Sequence, residues 1–150
     1  MKHPNPRMSV MVAFVLLLGG CASTAEGTSQ KLLLYRAHAG PEVDSFRYLG
    51  RMDSWESLGD DTIAVWTRPR EAWLLELIGI CNNLPYTPVI GLTSHTGQVQ
   101  ARFDKVLVRD PAGGNSPCDI QSIRPLDVDA IRQAEKQQRE SAASATPSDH

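Results

Sequence analysis

Residues 62–78 read Thr-Ile-Ala-Val-Trp-Thr-Arg-Pro-Arg-Glu-Ala-Trp-Leu-Leu-Glu-Leu-Ile. Thr62 to Thr67 is rich in β-branched and aromatic side chains, which suit a pleated, half-buried strand. Arg68-Pro69-Arg70-Glu71 is a turn, with Pro69 where a fixed φ is wanted. Ala72 to Ile78 is the return strand. A hairpin centred on Pro69-Arg70 sets Arg68 against Glu71, Trp66 against Trp73, Val65 against Leu74 and Ile63 against Glu76. Opposite charges and aromatic pairs are the favourable cross-strand neighbours.

Working outward, Leu58-Gly59-Asp60-Asp61 is a turn into this hairpin, and Ser45 to Met52 alternates in the manner of a strand. Lys31 to Ala39 is a short apolar run that suits a strand or a helix. Downstream, Gly79 to Pro88 breaks the pattern and carries Cys81. Val89 to Thr93 is extended, and Ser94-His95-Thr96-Gly97 is a turn. Val99, Ala101 and Phe103 alternate against Gln98, Gln100 and Arg102, and the phase slips across Asp104-Lys105 before Val106 to Val108. Asp110 to Pro117 has the composition of a loop. Cys118 to Arg124 is a last strand, stopped by Pro125. Asp127 caps a short helix with Val128, Ile131 and Ala134 at helical spacing. The fold expected is all-β or β-dominated: a small antiparallel sandwich or partly open barrel of six or seven strands with a short C-terminal helix.

The ends of the chain differ from this domain. Lys2 and Arg7 precede nine apolar residues, Val10 to Leu18, followed by Leu18-Gly19-Gly20-Cys21. A cationic start and a short apolar core make a secretory signal. A bilayer span needs roughly 20 apolar residues, so this run is too short to be one. The Leu-Gly-Gly-Cys segment resembles a bacterial lipobox, whose small residues admit a peptidase and whose cysteine accepts lipid. Residues 1–20 are therefore read as a lipoprotein signal peptide, with Cys21 as the lipidation site. Residues 21–30 form a small, polar, flexible tether, 31–134 the β-rich domain and 135–150 a disordered tail. Among Gram-negative lipoproteins an aspartate after the cysteine favours the inner membrane. Ala22 stands there instead, so the expected location is the outer membrane, facing the periplasm.

The remaining 130 residues suffice for one domain with one core. They carry 13 basic and 17 acidic residues with no basic cluster, which excludes a nucleic-acid partner on electrostatic grounds. Two cysteines remain, Cys81 and Cys118. An oxidising compartment favours their disulfide. The alternative is a metal or redox pair, for which no Cys-x-x-Cys and no neighbouring histidine is present.

Several segments together resemble a family of small exported proteins of Gram-negative bacteria classed as a domain of unknown function. They are Trp55-Glu56-Ser57-Leu58-Gly59-Asp60-Asp61, Val65-Trp66-Thr67-Arg68-Pro69, Cys81-Asn82-Asn83-Leu84, Ile90-Gly91-Leu92-Thr93-Ser94, Ala101-Arg102-Phe103-Asp104 and Cys118-Asp119-Ile120. The resemblance covers Phe46 through Arg124. It implies the same paired cysteines and an envelope location, and it carries no activity.

Candidate chemistry is sparse. Asp53, Glu56, Asp60 and Asp61 lack the spacing of a calcium loop, and Asp60-Asp61 falls at a turn. His38 and His95 are the domain's only histidines. No His-Glu-x-x-His or Gly-x-Ser-x-Gly motif accompanies them, and His95 reads as a turn-tip residue. Asp104 lies at the phase slip, where it can pair with Arg102 or Lys105. Trp66 and Trp73 form a candidate ligand face, against the plainer reading of core packing. No cofactor, metal site or catalytic set is expected. The expected function is a non-catalytic module held to the membrane by its lipid, with an envelope protein or cell-wall partner. The alternative is a small-ligand binder using Trp66 and Trp73.

Overall fold

The computed structural model describes residues 23–145. Residues 1–20, read above as a signal peptide, and Cys21 lie outside them. The elements are α1 (Ser23–Ala37), β1 (Ser45–Arg47), β2 (Ser54–Ser57), β3 (Thr62–Arg68), β4 (Glu71–Leu77), a 3-10 turn (Leu84–Tyr86), β5 (Ile90–Leu92), β6 (Gln98–Gln100), β7 (Lys105–Arg109), β8 (Asn115–Leu126) and α2 (Val128–Ser144). The fold is β-dominated, as expected, with eight strands. Six of them form one antiparallel sheet in the order β2-β3-β4-β8-β7-β5, which curls into half a barrel. β1 and β6 pair separately as a ribbon.

The hairpin forms where residues 62–78 place it, but its register differs by one residue beyond the tip. Arg68 faces Glu71, the ladder then shifts, and Trp66 faces Ala72, Val65 faces Trp73 and Ile63 faces Leu75. The cause is a bulge at Thr67, which adds one residue to β3. A one-residue slip moves every side chain to the other face of the sheet. The bulge thereby sends Trp66 and Trp73 to opposite sides.

Two buried clusters follow, one on each face. Inside the curl lie Ile63, Val65, Leu75, Leu77, Val106, Val108, Ile120 and Ile123, joined by Phe46 and Val99 from the ribbon. Outside it lie Ala64, Ala72, Leu74 and Leu126, covered by Tyr35 of α1 and by Val128 and Ile131 of α2. Burial on both faces explains why residues 62–65 are all buried although the sheet is antiparallel.

Several local expectations are corrected. The polar stretch read as a tether is helical from Ser23 onward. The Ala, Glu and Gln there propagate a helix, and Lys31 and Tyr35 then dock it. The segment 135–144, read as tail, continues α2, whose composition of Glu, Lys, Gln, Arg and Ala sustains a helix. Asp127 caps that helix as expected, accepting from the Ala130 N–H at 3.0 Å. The last strand runs through Pro117 and Pro125 instead of stopping. β8 pairs with β7 over 115–119 and with β4 over 120–126, so each proline needs a ladder on one side only. Beside Pro125 the second side is met by the Gly40 N–H, which donates to the proline carbonyl at 2.8 Å. Phe103 does not continue the inward face of β6. The chain turns at Arg102, with φ of 65°, and leaves Phe103 exposed.

Cys81 and Cys118 are joined in a disulfide with Cα atoms 5.8 Å apart. The bond closes a loop of 37 residues between the end of β4 and the middle of β8. Loop-closure entropy assigns such a link about 4 kcal/mol of stability. Replacing both cysteines by serine should lower the urea-unfolding free energy by about that amount. An unchanged midpoint would show that the unfolded chain is already confined without the bond.

Candidate functional site

Three regions bring polar side chains together. The first is a groove on the outer face, between α1, α2 and the β2–β3 edge. Its volume is about 470 Å³, and its walls include Lys31, Tyr35, Glu56, Trp66, Arg132 and Glu135. Tyr35 stands at its base, only 2% exposed, with its ring edge-on to Trp66 at 6.2 Å. The phenol oxygen lies 3.3 Å from Glu56 Oε2 and 3.3 Å from Glu135 Oε1, so one proton serves two carboxylates. Lys31 Nζ pairs with Glu56 and lies 3.9 Å from Glu135. Burial, reinforced by the two carboxylates, pushes the Tyr35 hydroxyl well above the ordinary phenol value. It therefore acts as a fixed donor joining β2, α1 and α2.

The second region is built around Asp104, which is fully buried. Its Oδ1 accepts from the Thr93 hydroxyl at 2.7 Å and lies 3.2 Å from His95 Nδ1. Its Oδ2 accepts from the Gln100 N–H at 2.8 Å. Thr93 Oγ1 in turn accepts from the Lys105 N–H at 2.8 Å. A carboxylate facing Nδ1 favours the imidazole tautomer with its proton on that nitrogen, leaving Nε2 as the acceptor. The His95 ring meets Phe103 edge-on at 4.7 Å, and its side chain is 59% exposed. The turn-tip placement of His95 agrees with the sequence: it bridges Gln98 across Thr96 and Gly97, both with positive φ. The Asp104 partners do not. Neither Arg102 nor Lys105 takes its carboxylate: Arg102 pairs with Glu42 and Lys105 with Asp119. The signal available in the sequence was the phase slip, since a polar residue that breaks alternation lands on the buried side.

The third region is a cleft of about 360 Å³ between residues 47–53 and the hairpin tip, walled by Arg47, Leu49, Arg51, Met52, Asp53, Thr67, Arg68 and Glu71. The bulge at Thr67 places that residue and Arg68 side by side in its wall. Glu71 is satisfied there by the Thr67 hydroxyl at 2.7 Å and by Arg68 at 2.9 Å.

The sequence-predicted site residues fall as follows. Trp66 borders the groove and packs in the outer cluster, whereas Trp73 stacks on Phe46 at 5.0 Å in the inner one. The two indoles therefore do not share a face, and a ligand cannot lie across both. The Trp73 indole N–H has no acceptor among the described residues. The acidic group behaves as turn and pair chemistry: Asp61 accepts from the Thr62 hydroxyl at 2.9 Å, the Asp60 carbonyl accepts from Cys81 N–H at 2.8 Å, and Glu56 pairs with Lys31. Among the described residues, no three His, Cys, Asp or Glu side chains are grouped to hold a metal. Cys21, the lipidation site expected from the sequence, lies outside the described residues.

The sequence matches the family described as "Family of unknown function (DUF6491)" over residues 5–142. No curated protein and no solved structure matches the chain.

Two outcomes follow from the geometry. An unfolded tyrosine releases its proton near pH 10, whereas folded Tyr35 retains it. Its contribution is thus fully present below about pH 10 and declines above it, by at most about 1.4 kcal/mol per pH unit. Urea unfolding between pH 8 and 11 should show this decline, and Tyr35→Phe should flatten it, leaving the smaller share of Tyr48, also raised by burial. An equally steep decline in the variant would place the proton elsewhere. Asp104→Ala strands the Gln100 N–H and the Thr93 hydroxyl and should cost about 3 kcal/mol, against less than about 1 for His95→Ala. Equal losses would mean that the imidazole, not the two protein donors, is what Asp104 stabilises.

Proposed function

Since the chain belongs to this family of unknown function over nearly its whole length, we propose that it is a lipid-anchored bacterial envelope protein. In this reading it is a non-catalytic interaction module, exported and acylated at Cys21. Its place is the outer membrane, facing the periplasm. The anchoring part is supported by the order of features in the leader: Lys2 and Arg7, the apolar run Val10 to Leu18, then Leu18-Gly19-Gly20-Cys21. Two or more acyl chains on that cysteine anchor stably, whereas one is marginal. The disulfide supports an oxidising compartment, though weakly.

The observation that carries the interaction role is a surface. From Leu77 to Ala101 the sequence has no Asp, Glu, Lys or Arg. Within that run Ile78, Ile80, Tyr86 and Val89 are exposed, Ile80 by 76% and Tyr86 by 86%. They stand on a loop held in place by the disulfide at Cys81 and by the Ile78 N–H, which donates to the Asp119 carbonyl at 2.9 Å. Large apolar side chains on a fixed, uncharged loop support a role in binding a protein partner, because a solvated loop would be polar. Holding that loop rigid also lowers the entropy lost on docking.

The test has two parts. An alkyne fatty acid supplied to cells should label the wild-type protein and not Cys21→Ser, which should leave the membrane fraction. A photo-crosslinking residue at position 80 or 86 should give a discrete adduct in envelopes, and one at Glu140 on the far end of α2 should not. Labelling of Cys21→Ser would remove the anchor. Adducts equal at 80 and 140 would remove the binding loop.

A further inference from the structure

We propose that the cleft between residues 47–53 and the β3–β4 hairpin tip binds a phosphate group. Three guanidinium side chains, Arg47, Arg51 and Arg68, line a space of about 360 Å³. Elsewhere the arginines divide: Arg109, Arg124, Arg132 and Arg139 carry no ion pair among the described residues, and three others do. Arg36 holds Glu76, Arg70 holds Asp129 and Arg102 holds Glu42. Arg68 is likewise committed to Glu71 at 2.9 Å. Arg47 and Arg51 carry no ion pair among the described residues, although acidic residues outnumber basic ones, 17 to 15. What sets Arg47 and Arg51 apart is that both exposed side chains line the same cleft, where an anion between them offsets their mutual repulsion.

The chemistry of the anion follows from the number of forks. A carboxylate offers one two-oxygen edge to a bidentate fork. A phosphate presents oxygens in several directions and can take two guanidinium forks at once. Leu49, 65% exposed, and Met52 supply an apolar wall beside the arginines. A phosphate ester with an apolar substituent therefore fits better than the bare ion. Asp53, on the wall shared with the helix-side groove, limits the depth at which an anion is tolerated.

The shared chemistry is phosphate, and its source is either a phospholipid headgroup or a soluble phosphate. The full-length protein should be titrated by calorimetry with inorganic phosphate, with a short-chain phosphatidylglycerol below its micelle concentration, and with acetate. The expected result is binding of one or both phosphates and not of acetate. The double variant Arg47→Gln, Arg51→Gln should weaken it at least tenfold. Asp53→Asn should tighten it severalfold, a gain that a merely structural role would not produce. Arg109→Gln, a strand arginine outside the cleft, should leave it unchanged. Preference for phosphatidylglycerol assigns a lipid headgroup, and equal binding assigns the phosphate alone. Absence of phosphate binding, acetate matching phosphate, or a loss in Arg109→Gln as large as in the double variant overturns the proposal.

Discussion

β8 is the strand on which the rest of the sheet depends. Its first half is paired by β7 and its second half by β4, so it joins two smaller sheets into one curled surface. The change of partner occurs near residues 119 and 120, where the ladder to β4 shifts between Glu76 and Leu77. Cys118 lies at that junction, and its disulfide holds the chain leaving β4 against it. The 39–43 segment is added to the outer side of the same strand by bridges to Leu126 and Ile123. Both helices are therefore positioned from its end: α1 leads into that segment, and α2 begins two residues after Leu126.

The hairpin of residues 62–78 was legible because strand composition and turn chemistry agreed there. Its register was not, because a bulge leaves no compositional mark: Thr67 suits an ordinary strand position as well as an extra one. That single residue decides whether two indoles face each other or face apart. The disulfide was legible from cysteine number. The helix at 23–37 was not, because its apolar residues Leu32, Leu33 and Leu34 are consecutive and give no face. Among the described side chains of that helix, Tyr35 alone is buried. Asp104 was legible as an irregularity in alternation, but its partners, Thr93, His95 and Gln100, depend on how the turns at 96–97 and 101–103 bring the segments together. Nothing in the sequence singles out Arg47 and Arg51, since they share a cleft with Arg68 only through the connection that packs beside the hairpin tip.

The two sides of that hairpin tip differ in charge economy. On the helix side, carboxylates, an ammonium and a phenol are mutually satisfied, and the result is a joint between elements. On the other side, two guanidinium groups face solvent without an ion pair among the described residues. The first arrangement is closed and structural in character. The second retains its hydrogen-bonding capacity, which is what distinguishes a recognition surface from a fold contact.

The ring closed by Cys81 and Cys118 has a mechanical meaning as well. β5, β6 and β7 lie wholly inside it. A pull applied between the two ends of the chain passes through the bond and not through those strands. The 37-residue separation is withdrawn from the load path. At roughly 3.4 Å per extended residue, the oxidised chain reaches on the order of 120 Å less than the reduced one when stretched. A protein held at its N-terminus and loaded at its C-terminus would keep the far edge of its sheet out of the load path while the rest yielded.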